Sequence, residues 1–370
     1  MRVVHVNVVQ PQDRPEPEVL LSRWRTVADV AEAVACSGCE VAVVQPFHRD
    51  AEVVRGSVRY RFVREPILSG RATGYRPDVI RRAVGDLRPD VIHVNGLDFW
   101  RHIPALCRIG VPVLAQDHAS RAGIARRRRR RALARISGVA FTAQEQARPF
   151  VAEGSIARDV PVFDVPESST RFSPGSREDA RAVTGVFGDP AVLWVGRLDC
   201  NKDPLTVLAA IERASAALPN LQGWFCFHEA PLLNAVRQRI QSSERLAGRI
   251  HLLGRTPHAE VETLCRAADV FMLGSHREGS GYALIEALAC GAVPIVSDIA
   301  PFRALTAGKI GALVEPGDVD GFARALVTLA RRPLADLRRD ALAHFNAQLS
   351  FERVGARLKA IYATMIEAAQ

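Results

Sequence analysis

Short apolar runs alternate with helix-like stretches from one end of this chain to the other, and no other feature restricts its fold so strongly. Val3 to Val9, Val41 to Val44, Val91 to Val94, Val113 to Ala115 and Val139 to Thr142 form one series of strand-like runs. Ala191 to Val195, Trp224 to Phe227, Ile250 to Leu253, Val270 to Leu273, Val293 to Val296 and Ala312 to Val314 form a second. Brief valine- and isoleucine-rich runs joined by segments of helical periodicity are the pattern of parallel strands buried on both faces by crossover helices. The expected fold class is therefore α/β, with two Rossmann-like doubly wound domains. A length of 370 residues agrees, because it exceeds what one hydrophobic core usually serves. Pro166 to Gly175, rich in Ser, Pro and Glu, reads as a linker. The expected domains are then residues 1–168 and 176–350, with a closing helix over 351–370.

In such sheets ligands sit beyond the carboxyl ends of the strands, so the residues just after each strand carry the functional information. Strand Ala191 to Val195 ends at Gly196, and Arg197 and Lys202 flank the loop before Asp203-Pro204, a cap and first-turn pair for the next helix. A planar guanidinium and a compact ammonium at one strand end suit the oxygens of a diphosphate without a metal. Strand Val270 to Leu273 leads into His276-Arg-Glu-Gly-Ser-Gly-Tyr-Ala-Leu-Ile-Glu-Ala-Leu-Ala-Cys-Gly291, a loop and then a helix closed by Gly291. Glu286 is the one charge in an otherwise apolar stretch from Tyr282 to Cys290. A carboxylate buried there needs partners: a ribose diol supplies two donors, and an ion pair with a nearby Arg is the structural alternative. Gly279 and Gly281 permit close backbone approach, the helix N-terminus suits phosphate oxygens, and Glu278 on the loop can reach sugar hydroxyls.

The charge balance points the same way but less sharply. The formal net charge is +9 and the pI is near 9.6, which implies an anionic partner: phosphates, an acidic membrane surface or nucleic acid. Much of the excess lies in Arg126 to Arg131, flanked by Arg121 and Arg135. This run reads either as a solvated helix face or as a contact with an anionic membrane or acidic acceptor. No aromatic residue interleaves it, so nucleic acid is not expected as a partner. The first strand-like run is too short and polar for a signal or membrane segment. Five cysteines without a close cysteine neighbour suit reduced thiols in a cytoplasm, and Cys36-Ser-Gly-Cys39 is read as structural. Asp318-Val-Asp320 precedes a helical run and is read as a helix cap, with no metal or cofactor expected.

Taken together, these motifs resemble the retaining GT-B glycosyltransferases of family 4, most strongly from Ala191 to about Val327. That resemblance implies two domains facing a central cleft, with the last helix, Phe351 to Ile366, crossing back to the first domain. It implies that Gly196, Arg197, Leu198 and Lys202 hold a donor diphosphate. It also implies that Glu278 and Glu286 contact donor sugar and nucleotide ribose, and that His118, in Asp117-His118, lies near the donor sugar. Arg197, Lys202, Glu278 and His118 are then the catalytic candidates, and Gly196, Gly279, Ser280, Gly281, Tyr282, Glu286 and Arg255 the donor-binding ones. Arg88-Pro-Asp-Val-Ile-His93 resembles the family's strand before a glycine turn. The chain departs from the family's pattern at Val9-Gln-Pro-Gln-Asp-Arg-Pro, where a glycine-rich loop is usual, at His228-Glu-Ala-Pro231 and at Glu167-Ser-Ser-Thr. The implied activity is metal-independent transfer of a sugar from a nucleotide-diphosphate sugar to a hydroxyl acceptor. Two other readings stay open: an epimerase or hydrolase acting on nucleotide sugars, and a non-catalytic protein that docks on anionic surfaces through Arg126 to Arg131.

Overall fold

A computed structural model describes residues 1–9, 13–64, 77–124 and 126–370; positions 10–12 of the Val9-Gln-Pro-Gln-Asp-Arg-Pro segment lie outside the described residues. The chain forms two compact units, Met1–Ser169 with Ser350–Gln370, and Thr170–Leu349.

The first unit is built on an eight-stranded sheet. Its strands are β1 (Arg2–Asn7), β2 (Glu40–Phe47), β3 (Ala51–Arg55), β4 (Val58–Arg64), β5 (Val91–Asn95), β6 (Val113–Gln116), β7 (Gly138–Phe141) and β8 (Val162–Asp164). They lie in the order β3-β4-β2-β1-β5-β6-β7-β8, all parallel except β3, which runs antiparallel to β4 at the sheet's edge. Every run of the first series is a strand. The hairpin of β3 and β4 is an addition, because its alternation of exposed Arg and Glu with apolar residues departs from the buried-strand pattern.

The last helix, Phe351–Glu367, belongs to this unit. Val354, Leu358, Ile361, Tyr362 and Met365 enter the same core as Val3, Val41 and Val91. Its backbone comes so close to the Arg25–Cys36 helix that a Cβ on Gly355 would lie 2.2 Å from the Ala33 carbonyl oxygen. Tyr362 carries the contact into the sheet. Its hydroxyl lies 2.6 Å from His93 Nδ1 and 3.4 Å from His5 Nε2, and the two imidazoles pack at 4.6 Å. A hydroxyl proton donated to His93 leaves the oxygen free to accept from His5, so one arrangement of hydrogens satisfies both contacts. Burial lowers the His5 pKa to about 3, and it holds His93 well below its ordinary value, helped by the nearby His5 and His118.

The helix Arg126–Leu133 turns five of its six arginines to solvent. The exception is Arg129, which is 1% exposed. It pairs with Asp98 at 2.9 Å, donates to the Arg121 carbonyl at 2.9 Å and covers the Phe150 ring. One arginine therefore clamps the helix while its neighbours form a cationic face.

The second unit carries six parallel strands: β9 (Ala191–Gly196), β10 (Gln222–Phe227), β11 (Ile250–Gly254), β12 (Val270–Leu273), β13 (Val293–Ser297) and β14 (Ala312–Val314). Their order is β11-β10-β9-β12-β13-β14, a doubly wound sheet whose direction of winding reverses between β9 and β12. The apolar Tyr282–Ala289 helix is buried over Leu284, Ile285, Ala287, Leu288 and Ala289. Asp318 caps the Val319–Ala330 helix by accepting from the Gly321 amide. No helix among the described residues is long and apolar enough to cross a membrane.

The neutral buried imidazoles make the first unit acid-sensitive. In the unfolded chain a histidine titrates near 6.5, so as pH falls the unfolded state takes up protons that folded His5 and His93 refuse. Stability is intact above that value and falls below it by about 1.4 kcal/mol per pH unit for each such histidine. Urea denaturation at about pH 7.5 and about pH 4.5 measures the slope, and His5→Gln should make it shallower.

Candidate functional site

The reversal of winding between β9 and β12 leaves a crevice at their carboxyl ends, where the loops carrying Arg197, Lys202 and Glu278 meet. After β9, Asp199 organises the turn. It accepts from the Lys202 amide at 2.9 Å and from both Nε and Nη2 of Arg197, at 2.9 and 2.6 Å. Desolvation works to raise the Asp199 carboxyl, but the Arg197 fork and the backbone amides outweigh it and hold the carboxyl below its ordinary value. Asp199 in turn raises the Arg197 guanidinium, so Arg197 is cationic at every working pH. Asp203 adopts a left-handed conformation and caps the Pro204–Ala214 helix through the Thr206 amide.

The loop after β12 is laced to this turn. The His276 amide donates to the Asn201 carbonyl at 2.8 Å, the Asn201 side chain donates to the Arg277 carbonyl at 3.0 Å, and His276 Nε2 lies 3.1 Å from Asp203 Oδ2. Lys202 Nζ meets Glu278 Oε1 at 2.5 Å, and Ser275 Oγ donates to the same oxygen at 2.6 Å. The lysine side chain is 20% exposed and the glutamate 10%, which makes this a partly desolvated pair.

Gly281 then starts the Tyr282–Ala289 helix with φ +68°, and a Cβ there would lie 2.6 Å from Leu305 Cδ1. Conformation and space both demand glycine at this position. Gly279, Ser280 and Tyr282 flank it at the helix N-terminus. Within the helix the Glu286 side chain is 15% exposed, and its Oε1 lies 2.7 Å from His258 Nε2. The partner is thus a histidine from the start of another helix, His258–Ala267, and not the arginine considered as the structural alternative. The His258 ring packs against Phe172 at 4.7 Å. Arg255 stands exposed after β11 and makes no ion pair among the described residues.

His118 belongs to the first unit, where its Nδ1 lies 2.9 Å from Glu167 Oε1. The structure therefore joins Lys202 to Glu278 beside the turn of Gly196 and Arg197, pairs Glu286 with His258, and leaves His118 paired with Glu167 in the first unit. Asp199, Ser275 and His258 were not among the sequence candidates. Asp199 carried a usable signal, an acid lying between two cations of one loop, whereas His258 reaches Glu286 only through the packing of two helices.

Arg197 and Lys202 are already matched by acids, so an entering anion must loosen these pairs or join them. Lys202→Met strands the Glu278 carboxylate and should cost the fold about 3 kcal/mol, while Glu278→Gln added to it should recover part of the loss. Urea titration of both single variants and the double variant reads this coupling, which should be at least about 1 kcal/mol.

Comparisons with known proteins identify the family and the fold. The profile described as glycosyl transferases group 1 matches residues 189–332, and that of glycosyltransferase family 4 matches residues 24–158. A D-inositol 3-phosphate glycosyltransferase from Geodermatophilus obscurus is 38% identical over 208 residues, spanning 53% of this chain and 45% of that protein. The matched stretch is thus about half the length of that relative. A GDP-mannose:cellobiosyl-diphosphopolyprenol alpha-mannosyltransferase from Xanthomonas campestris is 25% identical over 310 residues, 78% of this chain and 79% of the relative. Among solved structures, sucrose-phosphate synthase from Thermosynechococcus elongatus superposes with a TM-score of 0.68 at 18% identity, over 99% of both chains. Anabaena HepE in complex with UDP and glucose gives a TM-score of 0.69 at 16% identity, over 98% of this chain and 100% of that one. Two profiles in tandem over two parallel α/β units place the chain in the GT-B glycosyltransferases, group 1, family 4.

Proposed function

We propose that the chain is a retaining, metal-independent glycosyltransferase that takes a sugar from a nucleotide-diphosphate donor held by its second unit. The observation that carries this reading is the pair of cations, Arg197 and Lys202, at the point where that sheet's winding reverses. A diphosphate entering there meets two fixed positive groups and the amides of the Tyr282–Ala289 helix, which together take the place of a metal ion. Those groups stabilise the charge that grows on the departing diphosphate, a contribution that is often the largest single term in catalysis. Glu278, set between Lys202 and Ser275, accepts from hydroxyls of the donor sugar. Glu286 exchanges His258 for the ribose diol, gaining two donors in place of one.

The acceptor hydroxyl attacks the anomeric carbon from the face that the diphosphate leaves, forming the new glycosidic bond as the old one breaks. Its proton passes to the departing phosphate oxygen. No protein nucleophile is required, whereas a double displacement needs a second carboxylate as its acid/base partner. The bound complexes of HepE with UDP-glucose support a nucleotide-sugar donor of this kind. The free thiols suit work in the cytoplasm. The solvent-facing arginines of the Arg126–Leu133 helix suit peripheral contact with an anionic membrane or acidic acceptor.

A thermal-shift panel of UDP, GDP and ADP sugars should single out one nucleotide, since a ligand at a hundred times its Kd stabilises by about 2.7 kcal/mol. With that donor, Arg197→Ala and Lys202→Ala should each lower kcat/KM by about a hundredfold or more, with Lys202→Ala assayed well below its lowered unfolding midpoint. Near-normal turnover in both variants would refute the assignment.

A further inference from the structure

Arg197 has two carboxylates beside it, and they are held in different ways. Asp199 Oδ2 accepts from its Nε and Nη2 at 2.9 and 2.6 Å, while Glu229 Oε2 lies 3.6 Å from the same Nε. Asp199 also accepts from the Lys202 amide, and its side chain is 15% exposed. It is part of the turn. The Glu229 side chain is 58% exposed, and its separation from Arg197 is that of an ion pair without a hydrogen bond. Its other oxygen, Oε1, lies 3.5 Å from Nε2 of His228, an exposed neighbour. Glu229 thus rests against the guanidinium from the solvent side.

The backbone keeps it there. The Glu229 carbonyl accepts from the Leu198 amide at 2.8 Å, and the Leu232 amide donates to the Leu198 carbonyl at 2.8 Å. These bonds tie the segment after β10 to the turn after β9, so the Glu229 main chain stays beside Arg197 while its exposed side chain has room to swing aside. The segment is His228-Glu-Ala-Pro231, one of the places where the chain departs from the pattern it resembles. A glycine turn would put no charge beside the cation, and this segment puts one there.

Exposed ion pairs hold their partners weakly. A diphosphate offers Arg197 several charged oxygens, so it displaces Glu229 far more readily than the hydrogen-bonded Asp199. Once the sugar has left, the terminal phosphate can ionise a second time with a pKa of about 6, so the free nucleoside diphosphate carries about one more negative charge than the donor did. A carboxylate about 6 Å away weakens binding by about threefold for each such charge, at the dielectric of water.

We infer that Glu229 is the counter-ion that Arg197 gives up to the donor diphosphate and takes back as the nucleotide departs, and that its charge favours release of the nucleoside diphosphate over loss of the nucleotide sugar. Asp199 keeps the arginine in place throughout, and His228 gives the displaced carboxylate another partner. This inference rests on the donor reading of the second unit and adds a control on product release at that same site.

Titration calorimetry on the full chain tests it with UDP, GDP and ADP, the glucose and mannose conjugates of each, and inorganic pyrophosphate. The proteins compared are the wild type, Glu229→Gln, Glu229→Ala and Glu244→Gln. Glu244 is an exposed acid in the turn before β11, at the other end of the sheet, and controls for net charge. For the nucleotide that binds, both Glu229 variants should lower the Kd of the nucleoside diphosphate about threefold or more and that of its sugar conjugate by about half that factor or less, with the effect shrinking as salt is raised. Glu244→Gln should change neither. An unchanged Kd for the nucleoside diphosphate, an equal fall for both ligands, or the same fall in Glu244→Gln would overturn the counter-ion role and leave the donor reading intact. If no nucleotide or nucleotide sugar binds, the donor reading fails and the release role falls with it. Pyrophosphate tightened about threefold or more by both Glu229 variants would then preserve only the exchange of anions at Arg197, and pyrophosphate left unmoved would overturn that as well.

Discussion

The second unit's chemistry depends on β9 and β12 being neighbours. These strands are far apart in sequence, and only the reversal of winding at the centre of the sheet brings their carboxyl ends together. Two loops that would otherwise face different helices then share hydrogen bonds between Asn201, His276 and Arg277. Lys202 reaches Glu278 across that seam. Hydrogen bonds to the loop backbones thus keep the segments that carry the positive and negative groups in register.

The first unit uses the same architecture for a different electrostatic purpose. Its central strands end in amides and neutral imidazoles, and the one wholly buried arginine among the unit's described residues lies elsewhere, clamping the basic helix through Asp98 and Arg121. Burial keeps His5 and His93 uncharged, so neither adds to the chain's net charge of +9. Much of the excess charge sits on exposed side chains such as Arg126, Arg127 and Arg128, where water and salt screen it.

The fold class was legible because parallel strands buried on both faces must be apolar along their whole length, which leaves runs such as Val91 to Val94 and Val270 to Leu273 plainly visible. The antiparallel pair β3 and β4 was not, since one side of it meets solvent and its charged residues mask the period. At the site, the strand-end rule drew attention to Arg197, Lys202 and Glu278 before any contact was known. What it could not supply was pairing. That Glu286 faces His258, and that His118 faces Glu167, follows from which helices and segments pack together. Neither spacing nor composition encodes such neighbours directly.

The contact at Gly355, where helix backbone meets helix backbone with no room for a methyl group, bears on the order in which the molecule is assembled during synthesis. Residues 350–370 complete the core of a unit begun at residue 1, and the whole of the other unit is translated in between. The ribosome therefore releases every residue of the later-starting unit before the earlier one can close. Until then, the surface awaiting Leu358 and Tyr362 is exposed apolar area that a nascent chain must keep from aggregating.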